Sequence, residues 1–344
     1  MKLSKTLLCS LTILTSNAGE RSTDSLAHSS CFCARPDALA PVGVMADHTH
    51  GKGDFMISAR SMFMRMEQNY IGTSTVTDLQ TQMAGSFGVV PTNMDMQMQM
   101  IGVMYGLTEN ITLMAMINYM EFSMDHSFGP GLPAGNTFRT TSSGWGDASI
   151  GLTTNLWSDE NSILTGGLNL LLPTAGLEET DLIPPAGGVR RLPYPMQLGH
   201  GNWGLSPSLT YTEHRQTWSY GLQGKAQIFL DDNSEGYRVG DRIESTAWIA
   251  APVTANLSAS LRVSYANWGN ITGSDSQITM LPVPTARENL RGGERLDLIA
   301  GLSYAFSETH ARLGLEFGKT LWQDLNGPQL GNDFSVQLGL QYSW

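Results

Sequence analysis

Fifteen of the 18 methionines in this 344-residue chain fall between residues 45 and 124. Thioethers are soft ligands that select Cu(I) and similar ions, and they are also flexible apolar groups that fill irregular spaces. Many are spaced by two, which places them on one face of an extended strand. Other donors stand nearby: Cys31 and Cys33, the run Asp47-His48-Thr49-His50, and Met124-Asp125-His126. The candidate metal set is therefore Cys31, Cys33, His48, His50, Met62, Met64, Met66, Met114, Met116, Met120 and His126, with Cu(I) as the ion. Two histidines at i, i+2 on an extended chain point the same way and suit a shared ion; they also suit a solvated loop. No further ligands stand at zinc-like spacing. Three uses of the methionines stay open at this point: packing, soft-metal handling, and a greasy path for apolar solutes.

The elements that must position these groups are strands. From Phe334 onward, Phe334, Val336, Leu338, Leu340, Tyr342 and Trp344 alternate with Ser335, Gln337, Gly339, Gln341 and Ser343. The same period-2 pattern recurs in Leu257 to Tyr265, Leu296 to Phe306 and Leu313 to Phe317. Strands are expected near 55–67, 94–106, 110–124, 144–156, 161–172, 203–212, 216–230, 242–253, 256–268, 294–306, 310–321 and 333–344. Short connections around 107–110, 158–161, 213–216, 254–255 and 307–310 alternate with longer ones at 68–93, 125–143, 173–202, 231–241, 269–293 and 322–332. That alternation predicts an all-β fold: a transmembrane antiparallel up-and-down β-barrel of about twelve strands, with short periplasmic turns and long extracellular loops. A soluble β-sandwich explains neither the strict loop alternation nor the aromatic residue at the end. Apolar faces should meet outer-membrane lipid, with Tyr342 and Trp344 in an aromatic girdle.

Residues 1–18 read as a signal peptide: Lys2 and Lys5, then an apolar stretch from Leu7 to Leu14, then Ser16-Asn17-Ala18 as the cleavage site. Residues 19–54 lack alternation and form a periplasmic N-terminal extension or plug; residues 55–344 form the barrel. Localisation to the outer membrane of a Gram-negative-type cell follows. The net charge of −11 disfavours nucleic-acid partners, which require basic patches. Cys31 and Cys33, separated by one residue, are poorly placed for an ordinary disulfide.

Three short motifs carry a family resemblance. Ser143-Gly144-Trp145-Gly146-Asp147 opens a strand, Leu172-Pro173-Thr174 follows the next, and Leu198-Gly199-His200-Gly201-Asn202-Trp203-Gly204-Leu205 precedes another. In this order they are similar to the outer-membrane barrel family named for the meta-pathway of phenol degradation, whose members are often called transporters. The usual Pro-Thr-Gly bend reads Pro173-Thr174-Ala175-Gly176 here. The run from Ala34 to His50 resembles a Met-rich subgroup of that family. The resemblance implies a barrel transporter and no particular cargo.

In the predicted lumen stand charges of both signs: Arg60, Lys225, Glu244, Arg262, Asp297, Arg312 and Glu316. In the first and third strands the methionines share a face with polar residues and should be lumenal. In the second, Met94, Met96, Met98 and Met100 oppose Asp95, Gln97 and Gln99, so they are expected to face lipid or a girdle. The function expected is a passive outer-membrane channel or transporter for small or hydrophobic solutes or soft metal ions such as copper. One alternative is a periplasmic soft-metal-binding module on a structural barrel. Another is an outer-membrane lipid hydrolase, which needs a nucleophile, base and orienting group to converge. None of His28, His48, His50, His126, His200, His214 and His310 sits mid-strand beside an outward serine, and no enzyme is expected.

Overall fold

The computed structural model describes residues 35–128, 137–184, 187–279, 282–306 and 309–344. Its elements, in chain order, are β1 (Phe55–Gly72), β2 (Ser74–Val76), α1 (Asp78–Gly85), β3 (Val89–Gly106), β4 (Ile111–Phe128), β5 (Thr137–Trp145), β6 (Ala148–Ser158) and β7 (Ser162–Leu172). They continue with β8 (Thr180–Ile183), β9 (Gly188–Arg191), β10 (Gly204–His214), β11 (Ser219–Phe229), β12 (Tyr237–Arg238), β13 (Arg242–Pro252), β14 (Leu257–Trp268), β15 (Thr272–Gly273), α2 (Ser276–Thr279), β16 (Gly293–Phe306) and β17 (Ala311–Ser343).

Eleven elements pair in one antiparallel ring: β17-β16-β14-β13-β11-β10-β7-β6-β4-β3-β1, closed by β1 on β17. Closure runs from Met56↔Ser343 to Gly72↔Leu325, and the amide N–H of Phe55 and of Trp344 each donate to the other's carbonyl, at 3.0 and 2.9 Å. β5 pairs with the upper half of β4 and β6 with its lower half, so the two form one stave broken at Gly146-Asp147. β17, at 33 residues, is too long for one crossing. Its first limb pairs with β16 and its second with β1. The limbs face each other: the Phe317 and Phe334 rings stack at 6.0 Å, Lys319 pairs with Asp333, and the Asn332 amide donates to Gln323 Oε1 at 3.0 Å. With β17 counting twice, the ring has twelve staves.

The segment 322–332, expected as a loop, is therefore mostly strand. The chain reverses at Gly327-Pro328, while Leu325 still pairs with Gly293 and Gln329 with Tyr70. The strands β1, β3 and β4 are also longer than expected, at 18 residues each. A barrel strand needs about 9–11 residues to cross a bilayer. Their upper parts therefore rise beyond it on the side of the long loops.

Outward positions carry the lipid-facing band. Ile249, Leu261, Leu302 and Leu340 are each close to half exposed in the isolated chain. Aromatic clusters border the band. Phe55–Trp344 (4.7 Å), Tyr304–Phe306 (4.8 Å) and Trp218–Tyr220 (5.3 Å) lie at the short-turn end, and Tyr119–Trp145 (5.5 Å) and Phe63–Phe334 (5.8 Å) at the other. Such a closed barrel, with an apolar belt between two girdles, is an outer-membrane β-barrel.

Replacing Leu261, in the middle of the outward row of β14, by Arg should destabilise the barrel by about 2–4 kcal/mol. Equilibrium urea unfolding in phospholipid vesicles measures this; a change below about 1 kcal/mol would place Leu261 off the lipid face.

Candidate functional site

The barrel interior has two unlike walls. Direct pairing sets Met62 opposite Met98 and Met98 opposite Met120; Met66 opposite Met94 and Met94 opposite Met124; Met56 opposite Met104 and Met104 opposite Met114. Paired residues on adjacent strands share a face. The inward row of β1, with Met56 buried, thus carries that of β3 and β4 with it. Met94, Met96, Met98 and Met100 face the lumen, which corrects the expectation that they face lipid. Their polar neighbours face out: Arg65 reaches Asp95 across the outer surface at 3.1 Å, and Gln99 donates to Ser61 Oγ at 3.0 Å. Arg65 and Asp95 stand above the apolar band, where the outer face meets water, and Gln99 and Ser61 lie level with Tyr119 of the girdle.

The opposite wall carries charge. Lys225 pairs with Glu244 at 2.8 Å, Arg295 with Asp297 at 2.8 Å, and Arg262 with Glu316 through two bonds of 2.9 Å. Arg312 donates to the carbonyls of Arg35 and Pro36 at 3.1 and 3.2 Å. On the methionine wall, the Arg60 Nε and Nη1 atoms are buried without a hydrogen-bond partner.

Residues 35–54 run through the short-turn end of this interior. Five hydroxyls from the staves hold its backbone. Ser258 donates to the Pro36 carbonyl (2.9 Å), Ser219 to Asp37 (3.0 Å), Thr210 to Ala46 (3.3 Å), Thr153 to His48 (3.2 Å) and Thr112 to His50 (3.4 Å). Gln223 donates to the Met45 carbonyl at 2.6 Å and His214 Nε2 to that of Ala38 at 2.9 Å. Glu316, already gripped by Arg262, accepts the Gly43 amide at 2.7 Å. Two glycines make room: a Cβ on Gly106 would sit 1.8 Å from the Gly51 carbonyl oxygen, and one on Gly339 would sit 2.2 Å from a Val42 methyl. The segment thus touches staves around most of the ring. Each such bond contributes about 0.5–1.5 kcal/mol net.

Within the segment, the His48 ring Nδ1 lies 2.8 Å from Asp47 Oδ1, while Oδ2 accepts the Ala40 amide at 3.0 Å. Burial opposes the Asp47 charge, but His48 and these hydrogen bonds outweigh it and hold the carboxyl below its ordinary range. Burial, helped by His48 and opposed by Asp47, pushes the His50 imidazole down to about 4, so the ring is neutral at pH 7.

The loops at the long-loop end pack by a different chemistry. Leu192, Tyr194, Met196, Tyr237, Ile278 and Ala286 from the loops bury themselves against the wall residues Val89, Met94, Phe122 and Met124. Arg191 ties three loops together, pairing with Glu178 (3.1 Å), Asp275 (2.6 Å) and Glu235. Just outside this cluster the three glycine motifs meet. The Asp147 carboxylate accepts the amides of Ala175 (2.9 Å), His200 (2.6 Å) and Gly201 (3.2 Å), and Thr174 Oγ1 accepts that of Ala148 at 2.8 Å.

The expected metal set is thereby divided. His48 and His50 lie at the short-turn end, where Met114 is buried with Met116 against it. Met66 and Met120 pack under the loop cluster, and Met62 and Met64 lie between. His126 stacks on Phe138 at 4.7 Å, fourteen residues along β4 from Thr112, or roughly 45 Å. Cys31 and Cys33 lie outside the described residues. Among the described residues no three His, Cys, Asp or Glu side chains converge as a metal site. The hydroxyl ring that holds the segment was not anticipated. Its signal is an inward Ser or Thr close to four of the five short turns, at Thr112, Thr153, Thr210, Ser219 and Ser258.

The class defined by these features is an outer-membrane barrel with an occupied interior. No protein-family model matches the sequence, and no curated protein matches it. Among solved structures, the chain is similar to the COG4313 outer membrane channel from Pseudomonas putida F1, at 15% identity and a TM-score of 0.57, covering 86% of this chain and 97% of that one. Weaker likenesses are to the NanC porin (8% identity, TM-score 0.42, 83% and 98% covered) and the P. putida toluene transporter TodX (12%, 0.39, 90% and 96%). At these identities the likeness concerns the fold.

Glu316→Gln should leave the buried Arg262 unpaired and cost about 3–5 kcal/mol, whereas Arg262→Met with Glu316→Leu should recover most of that. Urea unfolding of the three proteins checks this; equal losses in the single and double variants would show that the pair is not the source.

Proposed function

We propose that the protein is a passive outer-membrane channel for small or hydrophobic solutes, exported by a cleaved signal in residues 1–18, with residues 35–54 as a plug at the periplasmic end. The observation that carries this reading is the asymmetry between the packing at the two ends. The upper one is an apolar cluster with buried cross-loop ion pairs, packed like a protein core. The lower one is a run of backbone held by single side-chain hydrogen bonds, from five hydroxyls and from Gln223, His214, Arg312 and Glu316, which exchange with water at modest net cost once the segment leaves. Release of the lower closure opens the barrel without unfolding it.

The walls suit a solute with an apolar face. Three adjacent staves present methionines, which adapt to many shapes, while the charges opposite are paired with one another and form no ring of one sign. Weak ion selectivity follows. Soft metal ions as cargo form a second reading, favoured by His48, His50 and the row of buried methionines beside them.

Deleting residues 35–50 from the mature chain should raise single-channel conductance in planar bilayers and remove closures. Met98→Asp in that background should slow uptake of an apolar dye into proteoliposomes at least severalfold while ion conductance persists. Unchanged conductance on deletion would overturn the plug; unchanged dye uptake would remove the methionine wall from the path.

A further inference from the structure

Two buried nitrogens at the short-turn end have no use in the channel reading. His48 Nε2 and His50 Nε2 are both shielded from solvent and make no hydrogen bond. Buried polar atoms are almost always paired, and a pair of orphans in adjoining rings calls for a ligand. The rings stand 4.9 Å apart, edge to face. On His48, Asp47 accepts from Nδ1, so Nε2 is the ring nitrogen left without a partner. A carboxylate holding the far side of an imidazole is the usual support of a metal-binding histidine, fixing tautomer and ring direction. His50 Nε2 is likewise buried and unbonded, so both rings present an unused nitrogen.

The surroundings supply soft donors. Met56, Met104 and Met114 face each other across three staves and are buried with Ala46, the residue two before His48. His50 is fastened to the same place, donating its amide to Thr112 Oγ1 at 2.7 Å and accepting from that hydroxyl. Thr112 lies two residues from Met114 on the same inward face, opposite Gly106, whose missing side chain admits the Gly51 carbonyl. One flank of the histidine pair, at Ala46, packs on the methionine row, and the other, at His50, is bonded to Thr112, two residues along β4 from Met114.

We propose that His48 and His50, with the thioethers of Met104 and Met114, bind one soft monovalent cation of the Cu(I) type. Two imidazoles and two thioethers are a donor set for such an ion, and too few oxygens or thiolates converge here for calcium, magnesium or structural zinc. Asp47 supplies a compensating negative charge and acts as a positioning residue. Occupancy would pin residues 46–50 to β3 and β4 by metal bonds in addition to hydrogen bonds. The site does not depend on conduction, since binding is read without any current.

The test uses the mature full-length chain with Cys31→Ser and Cys33→Ser, so that thiolates outside the site cannot take the ion. Cu(I), kept reduced by ascorbate, is titrated against a chromophoric Cu(I) chelator, and the copper-loaded protein is examined by X-ray absorption. One Cu(I) per chain with nitrogen and sulfur neighbours is expected. Asp47→Asn should weaken binding 10- to 100-fold, and His48→Gln with His50→Gln should abolish it. Met104→Leu with Met114→Leu should remove the sulfur signal from a barrel that still shows heat-modifiable migration. Failure to bind one equivalent, or binding untouched by the histidine pair, would overturn the site and leave the channel reading intact. A current that fails to appear on deletion of residues 35–50, with copper binding normal in the full chain, would do the reverse.

Discussion

Every backbone N–H and C=O within the hydrocarbon layer must find a partner in the protein itself. The rest of this structure depends on that constraint. It forces the sheet to close, and closure is made where Phe55 and Trp344 exchange both of their backbone hydrogen bonds. Closure in turn fixes register all round the ring, and register decides which residue of each alternating pair faces lipid. A one-residue slip between β1 and β3 would turn the methionines outward and put Asp95, Gln97 and Gln99 inside.

The same requirement governs the interior. Residues 35–54 enter the barrel with their own peptide groups, and the staves supply partners from side chains. Hydroxyls serve because they are short and both donate and accept. This mode of recognition reads backbone more than sequence. Specificity is concentrated at a few places: Gly43 on the Glu316 carboxylate, Val42 in the space left by Gly314 and Gly339, and the Asp47-His48 pair. The loop cluster at the other end uses side-chain burial, so the two ends differ in what holds them.

Much of the architecture was legible in the sequence because lipid-facing positions must be apolar at every second residue, and the strands from Leu257 to Trp344 obey this closely. The reading failed where the rule changes. Above Phe63, Ile101 and Tyr119 the outer face leaves the lipid, and Arg65, Glu67, Asp95, Glu121 and Asp125 occupy it, while apolar residues turn inward to meet the loops. Three neighbouring strands switch at the same height, and that common switch was the available cue. The segment 322–332 is expected as a loop, yet the turn at Gly327-Pro328 occupies only its middle and the flanks stay paired. Of the candidate site, residue types were legible and proximity was not. Nothing local in Asp47-His48-Thr49-His50 says that it meets Thr112 and Thr153, because those contacts are created by threading the segment through a closed ring.

The central claim is that residues 35–54 occlude the barrel in place and open it by leaving. Val42 and Gly339 allow a direct measurement, since a Cβ on Gly339 would lie 3.6 Å from that of Val42, within the span of a disulfide. Single-channel current would be recorded for Val42→Cys with Gly339→Cys, in the Cys31→Ser, Cys33→Ser background, before and after reduction on the same membrane. The account predicts a closed barrel when oxidised and open steps once the tether is reduced. Equal current in the two states, whether open or silent, would contradict it.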